Sequence, residues 1–523
     1  NRTNCIAFKG VPLLKFLGMK KFIVFLLLTA NAVAQNQNSV WIFGDSAGID
    51  FNSVPPSLFN SGIDSRGGVV SIADSIGNLI FYAGGTPDAL GANLQGAKAY
   101  NKNHSVMLNG DSIVGRAWYR EHIIIQYPGT DTLFYLFSAG VTSVYGFYYS
   151  IIDMSQDNSD GAVVIKNVQL QSNTFYAADG ITAIKHGNGR DWWVVVRQLA
   201  PANNEYFFYL VSPLGVVLHH TQNIGDTVYA NAYRIEPSDD GSRIAVLCNK
   251  GFTAVYDFDR CSGLFQNENI LQHDVITMDA DSFPWYWSCT FSPNKQLLYI
   301  SQVPISFNNP VGYLYQYNLN DTNPLATRDT LYTATIPEST DWVKLAPDGK
   351  IYVAGVYENG LVFPYPYPDS IRNYINENLG VINSPDSLGA ACNFTPYSFY
   401  LGGKRTYGCL PNNPNYELGR LIGSPCDTLS VGINDIEVKS NAELFVFYHS
   451  TWQKLFVNAQ NLAGTKYKLS IVDMVGKAVY QQKGNLSPPY FTKDISFINL
   501  SKGLYVLSLE TNKEILTSKF IKQ

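Results

Sequence analysis

One motif constrains this chain more than any other: a short apolar strand, a tight polar turn and a second strand, written repeatedly. The clearest copy is Trp287-Ser-Cys-Thr-Phe-Ser-Pro-Asn-Lys-Gln-Leu-Leu-Tyr-Ile-Ser301. Val343-Lys-Leu-Ala-Pro-Asp-Gly-Lys-Ile-Tyr-Val-Ala354 and Ala232-Tyr-Arg-Ile-Glu-Pro-Ser-Asp-Asp-Gly-Ser-Arg-Ile-Ala-Val246 follow the same plan. Pro sets φ at the first turn position, and Asp-Gly tolerates the positive φ needed next. Turn anchors fall at Asp74–Asn78, Pro128, His186–Asp191, Pro237, Pro293, Pro347 and Pro396, about 49 to 58 residues apart. Each interval holds about four strand candidates, the signature of a β-propeller. Seven anchors predict a seven-bladed β-propeller over 37-405, with six or eight blades as alternatives. The last unit, around 388-403, is incomplete. The early strand Ser39-Val-Trp-Ile-Phe43 is expected to complete it, closing the ring and removing an exposed sheet edge.

Composition agrees with an all-β chain. Its 523 residues exceed what one ordinary core organises. Apolar residues at 46% exclude disorder, while charged residues reach only 15%. The 34 Tyr and 29 Phe suit pleated, half-buried surfaces. A net charge of -5 leaves no basic face for phosphates, so no nucleic-acid partner is expected.

The start of the chain reads as an export signal. Met19-Lys-Lys, the apolar run Phe22 to Leu28, and Ala-Val-Ala34 supply a basic region, a short apolar core and a cleavage site. Residues 19-34 are therefore expected to be a signal peptide, and 1-18 a non-native upstream extension; a buried N-terminal helix is the alternative. The apolar run is too short to span a bilayer.

Six of the seven Cys follow the signal: Cys248, Cys261, Cys289, Cys392, Cys409 and Cys426. In an exported chain they allow up to three disulfides. Cys248 with Cys261 would staple one hairpin, and two of Cys392, Cys409 and Cys426 would tie the end of the large domain. Buried free thiols are the alternative.

Trp285-Tyr286-Trp287 offers a stacking platform for sugar or peptide, or simple aromatic filling between blades. The loops 84-91, 173-179, 279-285 and 304-310 are further binding material. Asp153-Met-Ser-Gln-Asp-Asn-Ser-Asp-Gly161 gathers oxygen ligands that suit calcium, but it lacks the terminal Glu and reads first as a polar turn. His219-His220 lacks a third ligand at useful spacing, so zinc is not expected. Glu121, Asp179, Glu205, Asp281, Glu338 and Asp341 are the carboxylates from which a glycosidase pair would be drawn. No His-Glu-x-x-His helix occurs. No catalytic residue, metal ligand or cofactor is assigned.

The text turns irregular from Gly408 to Ser430, and a linker is placed at 406-432. Seven short alternating runs follow, at 444-448, 454-458, 466-472, 477-482, 492-497, 503-510 and 516-521. They predict a small Ig-like β-sandwich over 433-523.

Lys466-Tyr-Lys-Leu-Ser-Ile-Val-Asp-Met-Val-Gly-Lys-Ala-Val-Tyr480, Ile498-Asn-Leu-Ser-Lys-Gly-Leu-Tyr-Val-Leu507 and Ser518-Lys-Phe-Ile-Lys-Gln523 resemble the type A C-terminal sorting domain of proteins exported by the type IX (Por) secretion system of Bacteroidota. The resemblance covers about 435-523. It implies passage through the periplasm, the type IX machinery at the outer membrane as partner, and a secreted or cell-surface location. The family's Tyr-Pro-Asn-Pro turn is replaced here by Val446-Phe-Tyr-His-Ser-Thr-Trp-Gln-Lys454. Val40 to Asn52, Ile76 to Gly85 and Asn101 to Gly110 resemble secreted propeller-like proteins of the same phylum, a likeness that implies fold and compartment but carries over no catalytic residue. The phylum's O-glycan motif, Asp-Ser/Thr before an aliphatic residue, is matched at Asp74, Asp111, Asp131, Asp226, Asp329 and Asp427.

The function expected is a secreted or cell-surface binding or adhesion-type propeller with a glycan or protein ligand. One alternative is a carbohydrate-active or other hydrolase with its site in the channel; another is a structural envelope protein.

Overall fold

The computed structural model describes residues 36–86, 95–116, 120–140, 146–200, 204–227, 233–273, 285–304, 310–357, 365–427, 442–449, 454–473, 477–486, 491–496, 500–513 and 515–522. Residues 1-18 and 19-34, expected as an upstream extension and a signal peptide, together with Asp281 and most of the loops 84-91, 279-285 and 304-310, lie outside the described residues.

The described chain is almost entirely β, in several sheets, with a separate β domain at its C-terminal end. Between Val70 and Tyr400 six sheets follow one another, and in each the strand order follows the chain. Their first strands are Val70–Ala73, His122–Gln126, Thr182–Lys185, Tyr233–Pro237, Tyr286–Phe291 and Trp342–Leu345. In the third sheet Tyr176–Ala177 precedes Thr182–Lys185, and both pair with Trp192–Ala200. Each first strand touches the first strand of the next sheet. An earlier strand, Val40–Asp50, pairs with Ser57–Ser65 and packs beside Val70–Ala73. It also reaches the sixth sheet, where Trp41 and Phe51 meet Tyr352 edge-on at 5.9 and 5.6 Å. The contacts therefore return to where they began.

Burial follows position. The first strands are short and buried on both faces, because sheets stack against each on either side, whereas outer strands such as Phe394–Tyr400 alternate half-buried and exposed. The repeated turns close as their residues suggest. Gly241 sits at φ 67° and donates to Ser238 O, while the Asp240 carboxylate accepts from the Ser242 amide at 3.0 Å. Ser292–Leu297 and Ala346–Lys350 repeat the arrangement.

The last anchor falls elsewhere. Pro396 lies inside Phe394–Tyr400, the outer strand of the sixth sheet, which pairs with Asn378–Ile382. An edge strand tolerates a residue without an N–H, so this Pro marks no turn. Val40–Asp50 accordingly does not complete a unit at 388-403. It pairs with Ser57–Ser65, and its Asp45 amide donates to Arg405 O at 2.8 Å.

The C-terminal domain has two sheets. One contains Glu443–His449, Lys454–Gln460 and Phe491–Ser496; the other runs Ala478–Asn485, Lys466–Asp473, Gly503–Thr511, Ile515–Lys522. Alternation along the strands sends Val446, Leu455, Val457, Leu469, Ile471, Leu507 and Leu509 into one shared core. The seven strands occupy the seven alternating runs of the sequence.

Candidate functional site

The first strands surround an axis, and residues 405–418 run along it. Arg405 to Pro414 are all buried without regular secondary structure. Irregular backbone is rarely buried, because its polar groups lack ladder partners. Here the first strands supply those partners, since the edge each turns to the axis has unpaired amides and carbonyls of its own. The Asn412 amide donates to Val69 O at 2.8 Å, and its side chain donates to His122 O at 3.0 Å and Ile181 O at 3.1 Å. Asn413 Oδ1 accepts from the Ser71 amide at 2.8 Å. Tyr416 Oη donates to Ile124 O at 3.0 Å. Pro411 and Pro414 bring no amide hydrogen at all. Three sheets are thus tied to one short segment.

Both ends of the segment are fastened. At the entrance Arg405 forms an ion pair with Asp45 at 2.7 Å and donates to Pro368 O at 2.8 Å. At the exit Arg260 donates to Gly419 O at 2.6 Å, Leu421 donates to Gly187 O at 2.7 Å, and Cys426 is disulfide-bonded to Cys261. A side chain on Gly187 would lie 2.4 Å from the Cys426 sulfur, so the bridge needs glycine there. The Cys248–Cys261 staple does not form. Cys248, Cys392 and Cys409 are buried free thiols, as is Cys289, and Cys261 joins the last cysteine across 165 residues instead. Nearness in sequence favours a Cys248–Cys261 pair but cannot foresee a segment returning through the axis. Within the stretch 406-432 read as a linker, residues 406–414 and Tyr416 are buried, whereas Glu417, Gly419, Arg420, Ile422, Gly423 and Pro425 are exposed.

The two ends of the axis differ chemically. Near the beginnings of the first strands, Arg120 and Arg234 lie over the Trp342 ring at 5.0 and 4.8 Å, and Arg234 also lies 5.3 Å from Trp287. Arg120 pairs with Glu236 at 2.5 Å and Arg234 with Asp179 at 3.8 Å. Burial pushes the Cys409 thiol well up beside them.

At the turn end lies a cavity of about 530 Å³, between the emerging segment and the turns after Pro237, Pro293 and Pro347. Its wall includes Asn38, Thr182, Thr290, Asn412 and Asn415, with Phe51 as an apolar patch. Lys344 is 7% exposed, lines the cavity and donates to Asn413 O at 3.1 Å. Burial lowers its ammonium to about 8, opposed by nearby Glu236 and assisted by Arg120. A wall of amides and hydroxyls, with the carboxylates of Glu236, Asp239 and Glu417 and one buried cation, can orient a polyhydroxylated or amide-rich ligand through directed hydrogen bonds.

Of the aromatic trio, Tyr286 is buried in the core beside Tyr315, and Trp287 is half-buried beneath Arg234. Trp285 sits 6.5 Å from Trp287, at the end of the axis away from the cavity. The carboxylates serve local structure. Glu121 accepts from the Arg116 amide at 2.7 Å, Asp341 from the Val356 amide at 2.9 Å, and Glu338 from Tyr332 and Tyr374 at 2.6 and 2.7 Å; Glu205 is half-buried. In 153–161 the Asp153 carboxylate accepts from Ser155 and Gln156 of its own loop. No group of three His, Cys, Asp or Glu able to hold a metal occurs among the described residues. Of the O-glycan candidates, Ser75, Ser112, Thr132, Thr227 and Thr330 are exposed. Lys344, Asn412 and Asn413 were not singled out in the sequence. The one signal was a Pro/Asn stretch almost without charge where a solvated linker would carry it.

Residues 452–523 match the family of secretion system C-terminal sorting domains. The chain thus carries the sorting domain of a Bacteroidota-type secreted protein. Its partner is the type IX secretion machinery at the outer membrane, and its route is through the periplasm to the cell surface. No curated protein matches the chain in sequence. Among solved structures, a quinoprotein alcohol dehydrogenase-like protein from Bacteroides thetaiotaomicron is 11% identical, over 71% of this chain and 76% of that one, with a TM-score of 0.36. An auxiliary nutrient binding protein from the same organism is 9% identical over 60% and 70%, at 0.32. AztD from Citrobacter koseri is 10% identical over 71% and 88%, at 0.31. Likeness of that degree does not tell one all-β protein from another.

Proposed function

We propose that residues 37-405 form a seven-bladed β-propeller and 433-523 an Ig-like sorting sandwich, and that the protein is a non-enzymatic binding protein of the cell surface whose ligand is a glycan. Seven successive sheets whose first strands touch in order, with Trp41 of the first and Trp342 of the last in one core, support the ring. The cavity at the turn end carries the functional reading, because it combines room for a sugar residue or two with amide, hydroxyl and ammonium groups that are already positioned. In this proposal ligand enters beside the axial segment, which occupies the channel.

The test is glycan-array binding by the full chain, followed by calorimetric titration of hits with wild type, Asn415→Ala and Lys344→Met. Saturable binding of intact glycan that both variants weaken is the expected result. Binding that neither variant changes would move the site elsewhere, and release of cleaved sugar would replace binding with hydrolysis.

A further inference from the structure

The outer strand of the third sheet, Gly215–Asn223, contains adjacent histidines, His219 and His220. In a regular strand, neighbours point to opposite faces. This strand is not regular there. Phe208 pairs with His220 and Tyr209 with Leu218, leaving His219 as the extra residue of a β-bulge. The bulge turns both imidazoles to one side, with their Nδ1 atoms 2.9 Å apart. Both rings stand edge-on to Trp193, at 5.1 and 5.9 Å, and His220 is stacked on Phe208 at 4.5 Å. His219 is exposed and His220 half-buried, so one ring is held by packing and the other faces water.

That nitrogen spacing is informative. Two ligands at right angles around an ion with metal–nitrogen bonds of about 2.0–2.1 Å are about 2.9 Å apart, whereas a tetrahedral ion separates them by about 3.3–3.4 Å. We propose that His219 and His220 form a bidentate site for a divalent metal of tetragonal preference, Cu(II) above all, with water in the remaining positions. The coordination preference follows from geometry: imidazole pairs in cis positions suit Cu(II), and no third side chain among the described residues completes a tetrahedral zinc set. In the free protein one Nδ1 carries the hydrogen and the other accepts it. Metal entry takes both lone pairs, so that proton leaves Nδ1 and the ring becomes the Nε2–H tautomer through exchange with water. No oxidation or reduction is involved.

The experiment is a Cu(II) titration of the purified full chain, with excess glycine to hold weakly bound metal, read by Trp fluorescence and by electron paramagnetic resonance. One equivalent should bind, quench part of the Trp emission through Trp193, and give an axial spectrum with nitrogen ligation. His219→Ala changes only an exposed side chain. It should weaken binding by no less than the roughly 10–100-fold that loss of a ligand's outer partner costs. His219→Gln, which keeps the bulk, should do the same. Absence of saturable uptake, or uptake undiminished in both variants, would overturn the proposal. Zn(II) binding as tightly as Cu(II) would overturn its choice of metal.

Discussion

The entrance and the exit of the axis share the first strands and the same axial segment, yet among the described residues one is filled by stacked side chains and the other holds a cavity. At the entrance, two guanidinium groups share the faces of Trp342, and each has a buried carboxylate within 3.8 Å. Flat groups stack without gaps, and Arg keeps its charge at any relevant pH. At the exit the groups are Lys344, asparagines and turn residues, which do not stack, and a cavity of about 530 Å³ remains. On the proposed reading, rigidity and binding are placed at opposite ends, so substitutions at the two ends should affect different observables.

The largest effect belongs to the entrance. Arg234 is fully buried and donates to Asp179 O at 2.7 Å as well as pairing with the Asp179 carboxylate. Arg234→Ala leaves that carboxylate buried without its cation, a loss of about 3–5 kcal/mol. Urea unfolding followed by Trp fluorescence should show it as a much lower midpoint. Arg234→Lys should recover little, because an ammonium cannot lie flat between Trp342 and Trp287. A midpoint within error of wild type for Arg234→Ala would remove the distinction between the two ends.

The disulfide comes next. Cys261–Cys426 closes a span of 165 residues and holds the axial segment at its exit. Cys426→Ser should cost about 2–4 kcal/mol. A reducing agent should lower wild type to the level of the variant and leave the variant unmoved. If reduction lowers both equally, the stabilisation comes from elsewhere.

These expectations rest on features of very different visibility in the sequence. The turns at Pro237, Pro293 and Pro347 were legible because a hairpin turn depends on four or five neighbouring residues. The C-terminal strands were legible because alternation of period two is also local. The axial segment was not. Asn412 is explained by carbonyls at His122 and Ile181, and Cys426 by Cys261, all distant in the chain. Read locally, Leu410-Pro-Asn-Asn-Pro-Asn-Tyr416 has only the marks of a loop. The same limit produced the mistaken Cys248–Cys261 staple and the turn assigned to Pro396. Export, by contrast, was legible from three motifs, because the secretion machinery reads a portable domain independent of the ring it carries.

The smallest effect on stability, and the most telling for function, concerns Lys344. Its folded-state ammonium is lowered to about 8, below the ordinary lysine value, so the folded protein binds this proton less tightly than the unfolded chain. The burial penalty is therefore fully present below pH about 8 and is relieved as pH rises from there toward the ordinary lysine value of about 10.4, so this group makes the fold more stable with rising pH. Ligand binding through the ammonium runs the other way, because the donor loses its charge above about 8. Affinity for a glycan held in the cavity should fall between pH 7 and 9 while the unfolding midpoint holds or rises. Lys344→Met should abolish that pH dependence along with most of the affinity, and should change stability little, since a buried charge is exchanged for an apolar chain of similar length. Affinity flat across that interval in wild type would mean that the exit cavity does not use its one buried cation, and that the asymmetry of the axis serves packing alone.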